Sequence, residues 1–454
     1  MILLTFKSSK YQQHLAQLPK IPQTIENIKT LYNPKDFYKA LIQAIFDARQ
    51  KIYLVALYLE KDQGGQQILE ALYQAKRTTP TLEIVILVDW HRAQRGRIGS
   101  NSNCVDTNAD WYYRMAQAHP GVDVPVYGVP VNTREALGVL HLKGFVFDDK
   151  VIYSGASLND AYLQQQNKYR YDRYQTIRNK VLAETLLNYI KRYLLTAPAV
   201  SRLDNINRLK IIEIKHDTRL LRQTLREANY CYEGKANLHE LAITPLVGLG
   251  KKSLLNKTIH YLLCSVRDHL TLCTPYFNLP AVLARDLIRL LRLGRRVEII
   301  VGDKTANDFY IPENQPFKII GALPYLYEIN LRRFLSRLQR YIDKGQLIAR
   351  LWKDKDNSFH LKGVWVDQEW QLLTGNNLNP RSWRLDLENA LLIHDPVQEL
   401  RKQRECELTL IRTHTQTIQQ FTELQTIDDY PIKIRNFIRR LRRIRIDRLI
   451  SRII

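Results

Sequence analysis

Along the chain, compact apolar runs alternate with longer stretches in which apolar positions recur every three to four residues. "KIYLVALYLE" from Lys51, "LEIVILVDW" from Leu82, "HLTLCTPYFN" from His269 and "VEIIVGDK" from Val297 are rich in β-branched and aromatic residues and predict buried strands. The segments before Lys51 and before His269 have helical periodicity. Strands alternating with helices predict a layered α/β sheet.

The pattern occurs twice. Lys51 aligns with His269, Glu83 with Glu298 and His141 with His360, at offsets of 218, 215 and 219 residues and in the same order. Such regularity predicts two copies of one domain. Each copy reads as helix, buried strand, helix, buried strand, long insertion, a strand carrying the tetrad HLKG, a return strand and a closing helix. The expected division is 1–220 and 221–425, with a tail over 426–454. The fold class expected is α/β, with two similar domains, each a mixed sheet flanked by helices, related by a pseudo-twofold axis.

Composition narrows what the chain can be. Hydrophobic residues make up 45% and charged residues 25% of its 454 positions, which suits a folded globular protein. Lys and Arg number 68 against 45 Asp and Glu, a net charge of +23. That excess favours polyanionic partners: nucleic acid, an anionic membrane leaflet or a phosphate-bearing substrate. Five scattered cysteines with no CxxC pair argue against a disulfide framework and against a thiolate metal site. The apolar run in "MILLTFKSSK" is short for a secretory segment and no later run reaches bilayer length, so membrane association is expected to be peripheral.

Chemistry concentrates in two matched stretches. After His141 and Lys143 come four residues, Asp148, six residues, then Gly155 and Asn159 in "GASLN". After His360 and Lys362 come four residues, Asp367, seven residues, then Gly375 and Asn379 in "GNNLN". A single HxK carries little information; the composite repeated in register carries much more. Period-two strand geometry places His141 with Lys143, and His360 with Lys362, on one face. About a pseudo-twofold axis, two imidazoles and two ammoniums converge. An imidazole can attack phosphorus, a second can exchange protons with the departing and incoming oxygens, and lysines helped by Asn159 and Asn379 can hold the phosphoryl oxygens. Asp148 and Asp367, with Gly155 and Gly375, read as turn residues. No His, Asp and Glu cluster at metal-ligand spacing competes, so neither metal nor other cofactor is expected.

HxK(x)4D repeated with a trailing Gly and Asn resembles the phospholipase D superfamily. "VDWHRAQRGRIG", "NADWYYRMAQ", "KYRYDRY" and "GALPYLYEINLRRFLSRLQ" are further similar to its bacterial phosphatidylserine synthase family, over essentially the whole chain. The resemblance implies a covalent phosphohistidine formed without a metal, CDP-diacylglycerol as donor, L-serine as acceptor and CMP as leaving group. It implies His141 as nucleophile and His360 as general acid and base. It also implies an acidic partner for each imidazole, assigned across the interface as Asp172 for His360 and Glu388 for His141. Ala156 and Asn376 stand where the superfamily has serine after the glycine. Within the superfamily a phospholipase D or a cardiolipin synthase is the alternative, and a phosphodiesterase nuclease would use the same His and Lys chemistry.

Two basic features remain. Arg92, Arg95 and Arg97 follow a strand end, where α/β folds tend to bind ligands, and suit a pyrophosphate or a lipid headgroup. In "PIKIRNFIRRLRRIRIDRLISRII", Ile434, Phe437, Ile438, Leu441 and Ile444 share one helical face and Arg435, Arg439, Arg440, Arg442 and Arg443 the other. This helix suits the anionic inner face of a bacterial cytoplasmic membrane, reached from the cytoplasm, or docking on the protein with its basic face in water; ribosomal RNA is another polyanion it suits. No specific DNA partner is expected.

Overall fold

The computed structural model describes residues 2–96, 106–237 and 239–443. In the strand Lys51–Ala56 every residue after Lys51 is buried. Ile52, Leu54 and Ala56 enter one core and Tyr53 and Val55 another, and this two-sided burial is why no polar face interrupts the run. Helices begin where short polar side chains satisfy free N–H groups: Asn33 for Pro34–Asp47, Asp62 for Gln63–Thr78 and Ser253 for Leu254–Cys264.

Both halves build the same strand order. In the first, Val126–Val129, Glu83–Asp89, Lys51–Ala56, Phe145–Phe147, Lys150–Ser154, Tyr174–Arg178 and Ile28–Leu31 lie side by side. In the second the order is Leu347–Trp352, Arg296–Gly302, His269–Thr274, Gly363–Val366, Trp370–Thr374, Leu387–His394 and Ala242–Leu249. The first three strands of each series are parallel, with Gln63–Thr78 and Ala281–Arg292 as crossover helices, and the rest are antiparallel. The sequence reading lacks three of these strands in each sheet, Val126–Val129, Tyr174–Arg178 and Ile28–Leu31 in the first. The counterpart of Tyr174–Arg178, Leu387–His394, is fully buried yet carries Glu388 and Asn389, and such polar residues break an apolar run.

The two sheets face each other. Their inner sides share one core, in which Tyr53, Val146 and Tyr153 of the first meet Ile243, Leu373 and Leu391 of the second. Helices cover the outer sides through separate cores. Backbone pairing also crosses between halves: Leu140–His141 runs parallel to Leu387–Glu388, Arg170–Tyr171 pairs with Ser358–Phe359, and Ile21–Pro22 adds to the edge strand Ala242–Leu249. These crossings bring both HLKG segments to the interface. Among the described residues no helix is long and apolar enough to cross a membrane.

The tail helix Ile432–Arg443 is docked. Ile434 and Ile438 pack with Ala322, Tyr325 and Tyr430, and Leu441 is buried as well, while Arg439, Arg440, Arg442 and Arg443 are exposed. Ile434, Ile438 and Leu441 of the apolar stripe are thus covered by the protein and Phe437 is half-buried, while the basic face stays open to a polyanion. Ile444 lies outside the described residues.

Candidate active site

The HLKG segments are not continuous strands, which corrects the period-two reading. His141 ends the two-residue strand Leu140–His141, Gly144 takes φ +115, and a new strand starts at Phe145. His360 and Lys362 fall between Ser358–Phe359 and Gly363–Val366. The reason is a change of partner: upstream of each joint the backbone bonds to the opposite half, and downstream to its own sheet. The joints still hold both imidazoles and both ammoniums between the sheets.

Each imidazole meets a carboxylate from the other half. His141 Nδ1 lies 2.9 Å from both oxygens of Glu388, and His360 Nδ1 lies 2.9 Å from Asp172 Oδ2. Asp172 also accepts from Lys362 Nζ at 3.0 Å, and Lys362 touches His360 Nδ1. Lys143 Nζ donates to the carbonyl of Ala156 at 3.3 Å. Burial and the neighbouring lysines hold the His141 imidazole well below its ordinary range, and burial with Lys362 takes His360 down to about 4. Burial together with Lys362 lowers the Lys143 ammonium to about 7. Burial raises Glu388 well above a usual carboxylate, whereas at Asp172 Lys362 and His360 outweigh burial and keep it low. Burial thus favours the neutral form of both imidazoles and lowers both lysines, which an anion bound beside them would counter.

Glycines and aspartates of the motif do separate work. A Cβ on Gly375 would lie 2.7 Å from Lys143 Cγ, and one on Gly155 would lie 2.7 Å from Asp172 Oδ1, so both glycines make room for charged side chains. Asp148 accepts from the backbone N–H groups of Arg49, Gln50 and Lys51, and Asp367 from those of Arg267, Asp268 and His269. Both aspartates have positive φ, and neither touches an imidazole. Asn159 and Asn379 cap short helices by accepting from Tyr162 N and Ser382 N; Asn159 also donates to Glu60. Their carbonyl oxygens are thereby committed to the backbone.

Arg92 and Arg95 both pair with Glu135, at 2.8 and 2.6 Å, which offsets the charge they could offer a pyrophosphate. Arg97 lies outside the described residues. His260, Cys264 and Asp286 have ligand atoms within 4.8 Å of one another, a cluster away from the motifs that sequence spacing does not reveal because Asp286 comes from another helix. There Asp286 accepts from the His260 ring at 2.6 Å and Arg289 donates to Cys264.

Several site residues escape sequence reasoning. The Tyr162 hydroxyl lies 2.8 Å from His360 Nδ1. Asn389 clamps the Lys143 backbone, accepting from its N–H and donating to its carbonyl, both at 2.8 Å. Asp89 caps the helix that follows its strand and accepts from Leu140 N, and Asp386 accepts from Val139 N, fixing the approach to His141 from both sides. Asp89, at the end of "LEIVILVDW", and Asn389, next to Glu388, carried a positional signal; Tyr162 had none.

Comparison with known proteins agrees with this architecture. Residues 260–411 match the family described as "Cardiolipin synthase, PLD-like domain". Over its full length the chain is 63% identical to CDP-diacylglycerol–serine O-phosphatidyltransferase PssA of Escherichia coli strain K12, with all of both chains covered. The chain belongs to the CDP-diacylglycerol–serine O-phosphatidyltransferase family. A second member, from Haemophilus influenzae, is 48% identical, again over all of both chains. The crystal structure of phosphatidylserine synthase from that organism superposes with a TM-score of 0.95 at 47% identity, covering 99% of this chain and 100% of the other. The fold is therefore that of a phospholipase D-like phosphatidylserine synthase, a transferase of phospholipid biosynthesis.

Proposed function

We propose that this enzyme transfers the phosphatidyl group from CDP-diacylglycerol to L-serine in two displacements, with His141 as nucleophile and His360 as proton carrier. The observation that carries this reading is the paired imidazoles, each fixed through Nδ1 by a carboxylate of the opposite half. Among the described residues the His141 ring is bound by Glu388 alone, through Nδ1, so its Nε2 lone pair is available for attack. His360 shares its Nδ1 side with Asp172, the Tyr162 hydroxyl and Lys362, a network suited to moving protons.

In the first displacement Nε2 of His141 bonds to the phosphatidyl phosphorus as the bond to the CMP oxygen breaks, and His360 gives that oxygen a proton. In the second, neutral His360 takes the serine hydroxyl proton while the serine oxygen bonds to phosphorus and the phosphorus–nitrogen bond breaks. Phosphatidylserine leaves and His141 is restored. Lys143 and Lys362 hold the non-bridging oxygens, where fixed positive charge lowers the barrier most. The donor's negative charge returns protons to groups that burial had discharged, so substrate and site neutralise one another.

The two halves, 1–220 and 221–425, act as one catalytic unit, because neither holds an imidazole together with its carboxylate. The exposed arginines of the tail bring this unit to the anionic cytoplasmic face of the membrane, where the lipid donor resides. Ribosomal RNA is the competing polyanion for that surface. CMP release from CDP-diacylglycerol in vesicles, with and without L-serine, tests the reading. Release should depend on serine and fall at least about 1000-fold in His141→Ala; release indifferent to that substitution would overturn the mechanism.

A further inference from the structure

The acceptor must be recognised by something. L-serine presents an ammonium and a carboxylate on one carbon, with its reacting hydroxyl one carbon further away. A site for it needs an anion and a cation side by side, each with unused hydrogen-bonding capacity, next to the imidazole that handles the hydroxyl proton.

One such pair adjoins His360. Arg170 Nη1 lies 3.5 Å from Asp308 Oδ2, and the two side chains are 18% and 11% exposed. Oδ2 of Asp308 also accepts from the Tyr276 hydroxyl at 2.9 Å. Among the described residues its Oδ1 is buried without a hydrogen-bond partner, and so is Arg170 Nε. The guanidinium sits 4.8 Å from the ring centroid of Tyr162, whose hydroxyl contacts His360, and the Tyr276 ring lies edge-on to His360 at 6.0 Å. A single aromatic ring thus separates each charged group from the imidazole. Against burial, the charge of Arg170 keeps Asp308 below the usual carboxylate range, so it stays an anion.

A structural strut looks different. Arg173, three residues on, donates to both oxygens of Glu407 at 2.7 and 2.8 Å, with the two side chains only 3% and 5% exposed. That pair is closed and saturated. The pair Arg170 and Asp308 is loose and reaches solvent, with one donor and one acceptor left over. Unmet buried polar atoms of opposite charge are costly in a strut and useful in a site that receives a zwitterion.

Building on the reaction proposed above, we infer that Arg170 and Asp308 form the acceptor subsite, Arg170 taking the carboxylate and Asp308 the ammonium of L-serine, so that its hydroxymethyl group faces His360. Water lacks both charges and an amino alcohol lacks one, so the subsite favours serine over either. It also explains why the proton carrier is His360: the acceptor arrives on that side.

The experiment compares acceptors within each variant, using full-length enzyme, CDP-diacylglycerol vesicles and CMP release. The ratio of kcat/KM for L-serine to that for L-serine methyl ester reads carboxylate recognition. The ratio for L-serine to that for L-glycerate, which has hydroxyl in place of the ammonium at the same configuration, reads ammonium recognition. Because both terms come from one preparation, any loss of folded protein cancels. Arg170→Gln should collapse the first ratio by roughly 10- to 100-fold, the loss expected for a charged hydrogen bond, and spare the second; Asp308→Asn should do the reverse. If either fails to fold, Arg170→Lys and Asp308→Glu should shift the same ratios in the same pattern. Ratios equal to wild type in active variants would overturn the subsite. Wild-type enzyme releasing no CMP in response to serine would instead defeat the reaction itself, so the two failures are distinguishable.

Discussion

Lys143 shows how burial makes chemistry. Its ammonium drops from 10.5 to about 7 because burial and Lys362 both disfavour charge. Since anion binding needs the protonated form, kcat/KM for CDP-diacylglycerol should fall as pH rises past about 7. A stability effect follows by linkage. Between the folded value of about 7 and the unfolded 10.5 the unfolded chain binds more protons, so this residue destabilises least at the alkaline end. Thermal melts should show the Tm of wild type gaining on that of Lys143→Met from pH 7 to pH 10; a constant difference would refute it. Asp172→Asn and Glu388→Gln should each lower kcat by about 100- to 10,000-fold by losing the group that fixes its imidazole. Those acids were reached through the superfamily resemblance, which implies an acidic partner downstream of each motif; spacing by itself did not single them out. Tyr162, Arg170 and Asp308 were not legible, since their neighbourhood is made by chain crossings that no local spacing encodes.

The elements around the site divide into those that carry chemistry and those that only hold the chain. Gly375 lies against Lys143 of the opposite half, so Gly375→Ala must displace the buried Lys143 side chain and overpack the interface. We expect kcat to fall at least about 10-fold, with a loss of about 1–3 kcal/mol in stability. Asp148, by contrast, accepts three backbone N–H groups at a turn away from the imidazoles. Asp148→Ala should cost a similar amount in a denaturant titration yet leave kcat per folded molecule nearly unchanged; a large drop in kcat would contradict its turn role. The apolar runs revealed the central strands because those are buried on both sides. They concealed strands such as Leu387–His394, where site residues interrupt the pattern, and suggested one strand where the chain changes sheets. The composite spacing named residues that the fold brings together, although the strand geometry invoked for it was wrong in detail.

The molecule is a duplication whose candidate site draws residues from both copies. Sheet order repeats from one half to the other, while the site is completed by exchange: Glu388 serves His141, Asp172 serves His360, and the N-terminal strand Ile21–Pro22 joins the second sheet. That doubling was visible in the sequence as three anchors at one offset; the exchange of partners was not. The tail was recognisable as amphipathic, but whether lipid or protein covered its apolar side depended on a groove formed by Ala322, Tyr325 and Tyr430. Replacing Arg440, Arg442 and Arg443 with Gln should reduce binding to anionic vesicles by roughly 100-fold, at about 1 kcal/mol per basic residue lost, in a flotation assay. Unchanged flotation would remove the tail from membrane association. The central claim, two displacements through His141, is tested most directly by the stereochemical course at phosphorus, using CDP-diacylglycerol made chiral at the phosphatidyl phosphate. Two in-line displacements predict retention of configuration in phosphatidylserine; inversion would mean that serine attacks the donor directly and would contradict the phosphohistidine.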